Sequence, residues 1–179
     1  ESLNKISQEL HKEKCLVIAS LDHSGGQGTS AYHQQPLWAP SRVPEVNSRE
    51  VPKWMEQADV DEVIEGFVNA ARVAISSGCD GVEINAGQHS LVRQFLSGLT
   101  NHRDDAWGQD KTLFARTIIE KVREAIGDAV IGLRLSCDEL APWAASHMDV
   151  DGFDISGIDK KKRTELKVAG AENLKRIHS

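Results

Sequence analysis

Three groups of side chains able to bind or react follow directly on short apolar runs. They are Ser20 to Gly25, Glu83 to Ser90, and Arg134 with its followers to residue 139. Asn85 and Gln88, three residues apart, each carry an amide NH2 that donates and an oxygen that accepts, and neither titrates near neutral pH. His23 and His89 carry imidazoles, a group that can titrate there in general, and Arg134 is permanently positive. Such a set can hold a carbonyl oxygen or host a developing negative charge, provided the fold gathers it. Plainer uses exist for each member. Asn85 and Gln88 can cap a strand-to-helix turn, Arg134 can pair with Glu83 or Asp138, and His23 can sit on a rim without a role. The three cysteines, Cys15, Cys79 and Cys137, form no C-x-x-C pair, so no iron–sulfur, zinc or other metal site is expected. Neither G-x-G-x-x-G nor a P-loop is present.

The elements that must position these residues show as alternating periodicities. Leu3, Ile6 and Leu10 fall at helical spacing, and Cys15–Ala19 reads as a short, fully buried strand. From Asp22 to Gln57 the prolines at 36, 40, 44 and 52, with many Gly, Ser and Gln, leave room only for a long loop. Asp59 with Glu62 has the form of a capping box. Val63, Phe67, Ala70, Ala71 and Ala74 then make one helical face that ends at Gly78. Residues 79–85 read as a strand, Leu113 to Ile126 as a helix stopped by Gly127, and residues 129–136 as a second buried strand. Apolar strands joined by helices imply a parallel sheet covered on both faces. An open doubly wound sheet and a closed (β/α)8 barrel both satisfy this α/β pattern. In either, the strand ends at 20–26, 83–90 and 134–139 converge on one rim.

Bulk properties narrow the partners. The 179 residues carry a net charge of -6, which disfavours a nucleic-acid surface, since phosphate binding needs clustered Lys and Arg. The run Lys160–Arg163 is the local exception and reads as a solvated turn. No apolar run approaches the roughly 18 residues that a membrane span requires. The cysteine pattern suits reduced, buried thiols and a cytoplasmic protein. The first residues, Glu1 to Lys5, lack both a Met and the order of a secretion signal, so the chain is expected to begin within a longer protein.

Three motifs in order carry a family resemblance. Gly81-Val82-Glu83-Ile84-Asn85-Ala86-Gly87-Gln88-His89-Ser90-Leu91, then Gln94-Phe95-Leu96-Ser97, then Asn101-His102-Arg103-Asp104-Asp105-Ala106-Trp107-Gly108 are similar to the Old Yellow Enzyme / 2,4-dienoyl-CoA reductase family. In that family G-V-E-I-H-x-x-H/N precedes Q-F-L-S and N-x-R-x-D-x-x-G. Leu21-Asp22-His23-Ser24-Gly25, Ala39-Pro40-Ser41 and Gly132-Leu133-Arg134-Leu135-Ser136 resemble further motifs of the same family. Asn85–His89 and Cys137–Trp143 look most like its mycofactocin-associated branch.

The resemblance implies parallel βα units of a TIM (β/α)8 barrel, partial, at about strands three to six. It also implies FMN, reduced by NADH or NADPH, delivering hydride to a small-molecule α,β-unsaturated carbonyl compound. Asn85 and Gln88 stand where the family places its oxygen-binding His with a second His or Asn. Ser90 stands where a proton-donating Tyr is common, which leaves His89 as a candidate donor. Arg134 matches the flavin-binding Arg, while Ser20 replaces a flavin-contacting Gln and is shorter. His23 lies on the same rim as a third cofactor-binding candidate. Arg103 and Asp104 are expected to clamp a loop.

The motif match ends near residue 144, giving residues 1–144 as the barrel segment and 145–179 as an unassigned tail. Ala145-Ser146-His147-Met148 looks like an expression-vector scar, 151–157 could form a strand, and 166–168 with 171–177 a short strand and helix. A whole barrel takes about 250 residues and builds its phosphate site from late loops, so that site is expected to lie outside this chain. Open sheet edges favour pairing. The rival reading is therefore a non-catalytic partial barrel that forms a homo-oligomer; a doubly wound domain binding a small acidic ligand is a weaker third.

Overall fold

A computed structural model describes residues 2–31, 34–45 and 48–136. The readings made on Cys137–Trp143, the 145–148 segment, Lys160–Arg163 and the elements expected after residue 150 lie outside the described residues. The helices are α1 (Ser2–Lys12), α2 (Gln57–Ser76), α3 (Leu91–Leu96), α4 (Ala106–Gln109) and α5 (Leu113–Ile126). The strands are β1 (Ile18–Leu21), β2 (Trp38–Ala39), β3 (Lys53–Trp54), β4 (Gly81–Ala86) and β5 (Val130–Leu135).

Three strands form a parallel sheet in the order β1-β4-β5, as the βαβ alternation requires. Ser20 pairs with Glu83 and Glu83 with Gly132, while Asn85 pairs with Arg134. Side chains alternate across a strand, so residues in register share a face. Val82, Ile84 and Ala86 face the helices and are buried against Val63, Phe67 and Ala71 of α2 and Phe114, Ile118 and Val122 of α5. Phe95 stacks on Phe114 at 4.0 Å between centroids, and Trp107 meets Phe114 edge-on. Ser20, Glu83, Asn85 and Arg134 share the opposite face, which corresponds to the inside of a barrel. Gly81 lets β4 approach β5 there, because a Cβ would lie 2.3 Å from the Val130 carbonyl oxygen.

Several sequence expectations need correction. The first strand begins at Ile18 instead of Cys15, since residues 13–17 are spent closing α1. Cys15 N donates to Leu10 O, Lys14 has φ of 60°, and Asp80 Oδ2 receives Val17 N at 2.7 Å. Leu16 is thereby 74% exposed, and the Cys15 thiol is exposed where a buried one was expected. The apolar stripe Leu3, Ile6 and Leu10 also faces outward. Polar ties dock α1 instead, through His11 to Asp80 at 2.9 Å and Asn4 to the Ser77 carbonyl. The α2 box is one turn earlier than Asp59–Glu62: Glu56 is the N-cap, and its N–H donates to Asp59 at 2.8 Å. β5 is half exposed, because it is the sheet's outer strand among the described residues.

The long 22–57 segment is a loop, with a single 3-10 turn (Gly25–Gln27) and the two-residue pair β2–β3. One arginine fastens it. Buried Arg103 donates to the carbonyls of Met55 and Pro40, pairs with Asp105, and lies 4.2 Å above the Trp54 ring. Of the two residues expected to clamp the loop, Arg103 does so with Asp105 as its carboxylate partner, while Asp104 is exposed and contributes its carbonyl to Gln109. No helix among the described residues is long and apolar enough to cross a membrane.

Candidate active site at the strand ends

The inner face of the sheet ends in a compact polar group. Glu83 Oε1 accepts from Ser20 Oγ at 2.9 Å and forms an ion pair with Arg134 Nη2 at 2.9 Å, so a single carboxylate oxygen joins all three strands. Of the two partners open to Arg134, Glu83 is met here, and Asp138 lies outside the described residues. The remaining guanidinium N–H groups meet no acceptor among the described residues.

One residue pair above, Asn85 is half-buried beside Arg134. Its Oδ1 receives Gly87 N at 2.9 Å, which fixes the amide and commits the oxygen. The Nδ2 donors then have no acceptor among the described residues. The capping use and the binding use of Asn85 thus coexist, one on each end of the same amide. Gln88 and His89 sit on the turn that follows and are both exposed, His89 with φ of 63°. The structure therefore joins Asn85, Arg134 and Ser20 on one face and sets Gln88 and His89 at its margin.

Ser90 is spoken for. Its hydroxyl donates to Gly87 O at 2.8 Å and accepts from Arg93 N, capping α3 in a fully buried position. A Ser before the apolar pair Leu91-Val92 is a readable N-cap signal. Gln94 carries a role that the motif alone did not disclose. Its Oε1 accepts from Gly26 N at 3.0 Å and its Nε2 donates to Ser24 O at 2.9 Å, holding the loop after β1 against α3.

His23 belongs to that same loop. Its carbonyl accepts from Leu91 N at 2.6 Å, and its ring Nδ1 accepts from Gly25 N at 3.0 Å. Burial lowers the ring's pKa below its ordinary value, against the opposing pull of Asp22. A neutral ring that accepts at Nδ1 carries its proton on Nε2. His23 borders a cavity of about 440 Å³ between β1 and α2, walled by Trp38, Glu62, Phe67 and Ala70. That cavity follows the edge of β1 that is unpaired among the described residues and has the side of α2 as its other wall, so the donor-bearing inner face is the better candidate for chemistry.

The model of the NADH:flavin oxidoreductase / NADH oxidase family matches residues 1–178. The chain belongs to this family. The match runs past residue 144, where the recognisable motifs end. A metal reductase of Desulforamulus reducens is 31% identical over 172 residues, covering 94% of this chain and 26% of that protein. A multifunctional alkene reductase/demethylase of Caballeronia cordobensis is 32% identical over 143 residues, covering 76% of this chain and 21% of its own. The Old Yellow Enzyme homologue from Zymomonas mobilis superposes with a TM-score of 0.68 at 26% identity, over 74% of this chain and 41% of that one. The chain thus spans about a quarter or less of these two curated relatives. Its sheet and helices are parallel βα units of the family's barrel, and the family's cofactor is FMN with a reduced nicotinamide as reductant.

The residues present suit the ring end of such a cofactor. A Cβ at Gly87 would lie 2.9 Å from Asn85 Oδ1 and 3.5 Å from Arg134 Cδ, while Gly132 leaves bare backbone beside Glu83. Gly87 and Gly132 therefore keep side chains away from the amide donor, the guanidinium stem and Glu83. Groups to hold its phosphate do not occur among the described residues of this face.

Proposed function

We propose that the chain carries the ring-binding and acceptor-binding rim of an FMN-dependent oxidoreductase that reduces an activated alkene conjugated to a carbonyl. Bound FMN would supply the hydride relay between a nicotinamide and the acceptor. The observation that carries the reading is the inner-face pair: Arg134 and the Nδ2 of Asn85, which has no acceptor among the described residues, in register on adjacent parallel strands. Negative charge develops on the acceptor's oxygen as hydride arrives, and preorganised donors stabilise it without reorganisation. Asn85 supplies such a donor because Gly87 N holds its other end. Gln88 would add a second amide from the margin, and His89 on the same turn would serve as proton donor, since Ser90 is committed to its cap. Arg134 would face the ring, and Ser20 and His23 support that rim. The alkene reductase/demethylase relative favours this acceptor class, and Cys15 and Cys79 thiols that form no disulfide among the described residues are in keeping with a reducing, cytoplasmic setting.

The spectrum of the purified chain with added FMN tests this. Bound flavin that bleaches with reduced nicotinamide and recovers with an enone supports the proposal; a chain that leaves free FMN unchanged sinks it. A second reading, the self-associating partial barrel, is favoured by one observation. The β1 edge is unpaired among the described residues, and Leu16 and Ile18 beside it are 74% and 42% exposed. A dimer in sedimentation that is indifferent to FMN would select it.

A further inference from the structure

Glu83 is the charged side chain of β4, and it sits on the inner face between Ser20 and Arg134. Its Oε1 is shared between Ser20 Oγ and Arg134 Nη2, both at 2.9 Å. Its side chain is 27% exposed and that of Arg134 is 61% exposed, so the carboxylate lies against the sheet and the guanidinium reaches past it. Gly132, in register on the far side, puts no side chain between them.

We propose that Glu83 is a positioning residue that sets both the direction and the effective charge of Arg134 on the inner face. This rests on the flavin reading above and goes beyond it. A guanidinium alone would present a full positive charge to whatever lies over the face. Paired with Glu83 it presents a nearly neutral donor group, which suits a neutral ring and restrains the preference for an anionic one. Ser20 tunes the pair in turn, because its hydroxyl withdraws electron density from the very oxygen that Arg134 uses. The substitution of a short Ser for a longer side chain at this position thus has a use: it reaches Glu83 and not the ring.

The test measures flavin affinity in both redox states on the full 179-residue chain, by anaerobic titration with oxidised and with chemically reduced FMN. In Glu83→Gln, which keeps the shape and removes the charge, the preference for reduced over oxidised flavin should rise about tenfold, equal to about 30 mV in the two-electron potential. Ser20→Ala should move the same ratio the other way, by about twofold, as the carboxylate regains the density it shared. A purely structural role for Glu83 would weaken both forms equally and leave the ratio fixed, and that outcome overturns the inference, as does no change at all. Should Glu83→Gln fail to fold, Ser20→Ala decides alone by the direction of its shift. A wild-type chain that takes up neither form removes the flavin reading and this inference with it. A wild-type chain that binds both, with variants whose ratio is unmoved, removes the inference only.

Discussion

At the scale of single residues, two arginines divide the labour. Arg134 is exposed, tied by one carboxylate oxygen, and has donors to spare. Arg103 is buried, and its donors are taken up by Asp105 and the Met55 and Pro40 carbonyls. The consequences of removing them should differ accordingly. Arg134→Ala should leave the melting temperature nearly unchanged while weakening FMN binding by about tenfold or more, the worth of a charge-assisted hydrogen bond; equal affinity in a fluorescence titration refutes its assigned role. Arg103→Ala should leave two carbonyls and Asp105 without their donor and uncover Trp54, costing about 3 kcal/mol in urea unfolding. Lysine should not rescue it, because a point charge cannot span carbonyl, carboxylate and ring at once.

At the scale of elements, the sequence disclosed types better than surroundings. The α5 bounds, the strand at 81–86 and the absence of regular structure in 22–57 were readable because periodicity, Gly127 and the four prolines act locally. The outward stripe of α1 and the half-exposed β5 were not, since burial depends on which neighbour covers a face and periodicity reports only that a face exists. In the site, Asn85 and Arg134 were legible from their motifs, whereas Gln94 was not, because its two partners lie about seventy residues earlier in the chain. The close approach of β4 and β5 gives a prediction at this scale. Gly81→Ala places a methyl against the Val130 carbonyl oxygen at 2.3 Å. Since that contact is backbone, one strand must move. The cost should be about 1–3 kcal/mol, the usual range for overpacking, and it should appear as faster amide exchange in β5, with α5 protected as before. Undisturbed exchange in β5 would show that the two strands are less tightly joined than the register indicates.

For the molecule as a whole, the loops and α1 are fastened largely by carboxylates held below their ordinary pKa. Asp80 is lowered by the Val17 amide and then by His11, at the junction of α1, β1 and β4. Asp105 is lowered by Arg103 at the loop clamp, and Asp110 by Thr112 at the start of α5. Burial pushes Asp59 up, but the bonds from Lys53 and the Glu56 amide outweigh it, and the net shift is down. A carboxylate with a folded pKa below its unfolded value stabilises fully above the unfolded value, near 4, and the contribution is lost as pH falls through the folded one. His23 works in the same direction by another route: its folded pKa lies below 6.5, so the unfolded chain binds the proton first and stability declines as pH drops beneath that value. Urea midpoints followed by circular dichroism should therefore be level between about pH 7 and 8, slip slightly between about 6.5 and 5 through His23, and fall steeply below about pH 4. His23→Gln should flatten the shallow slope and leave the steep one. A midpoint that held level or rose on acidification to pH 3 would mean that these four carboxylates do not tie the structure together.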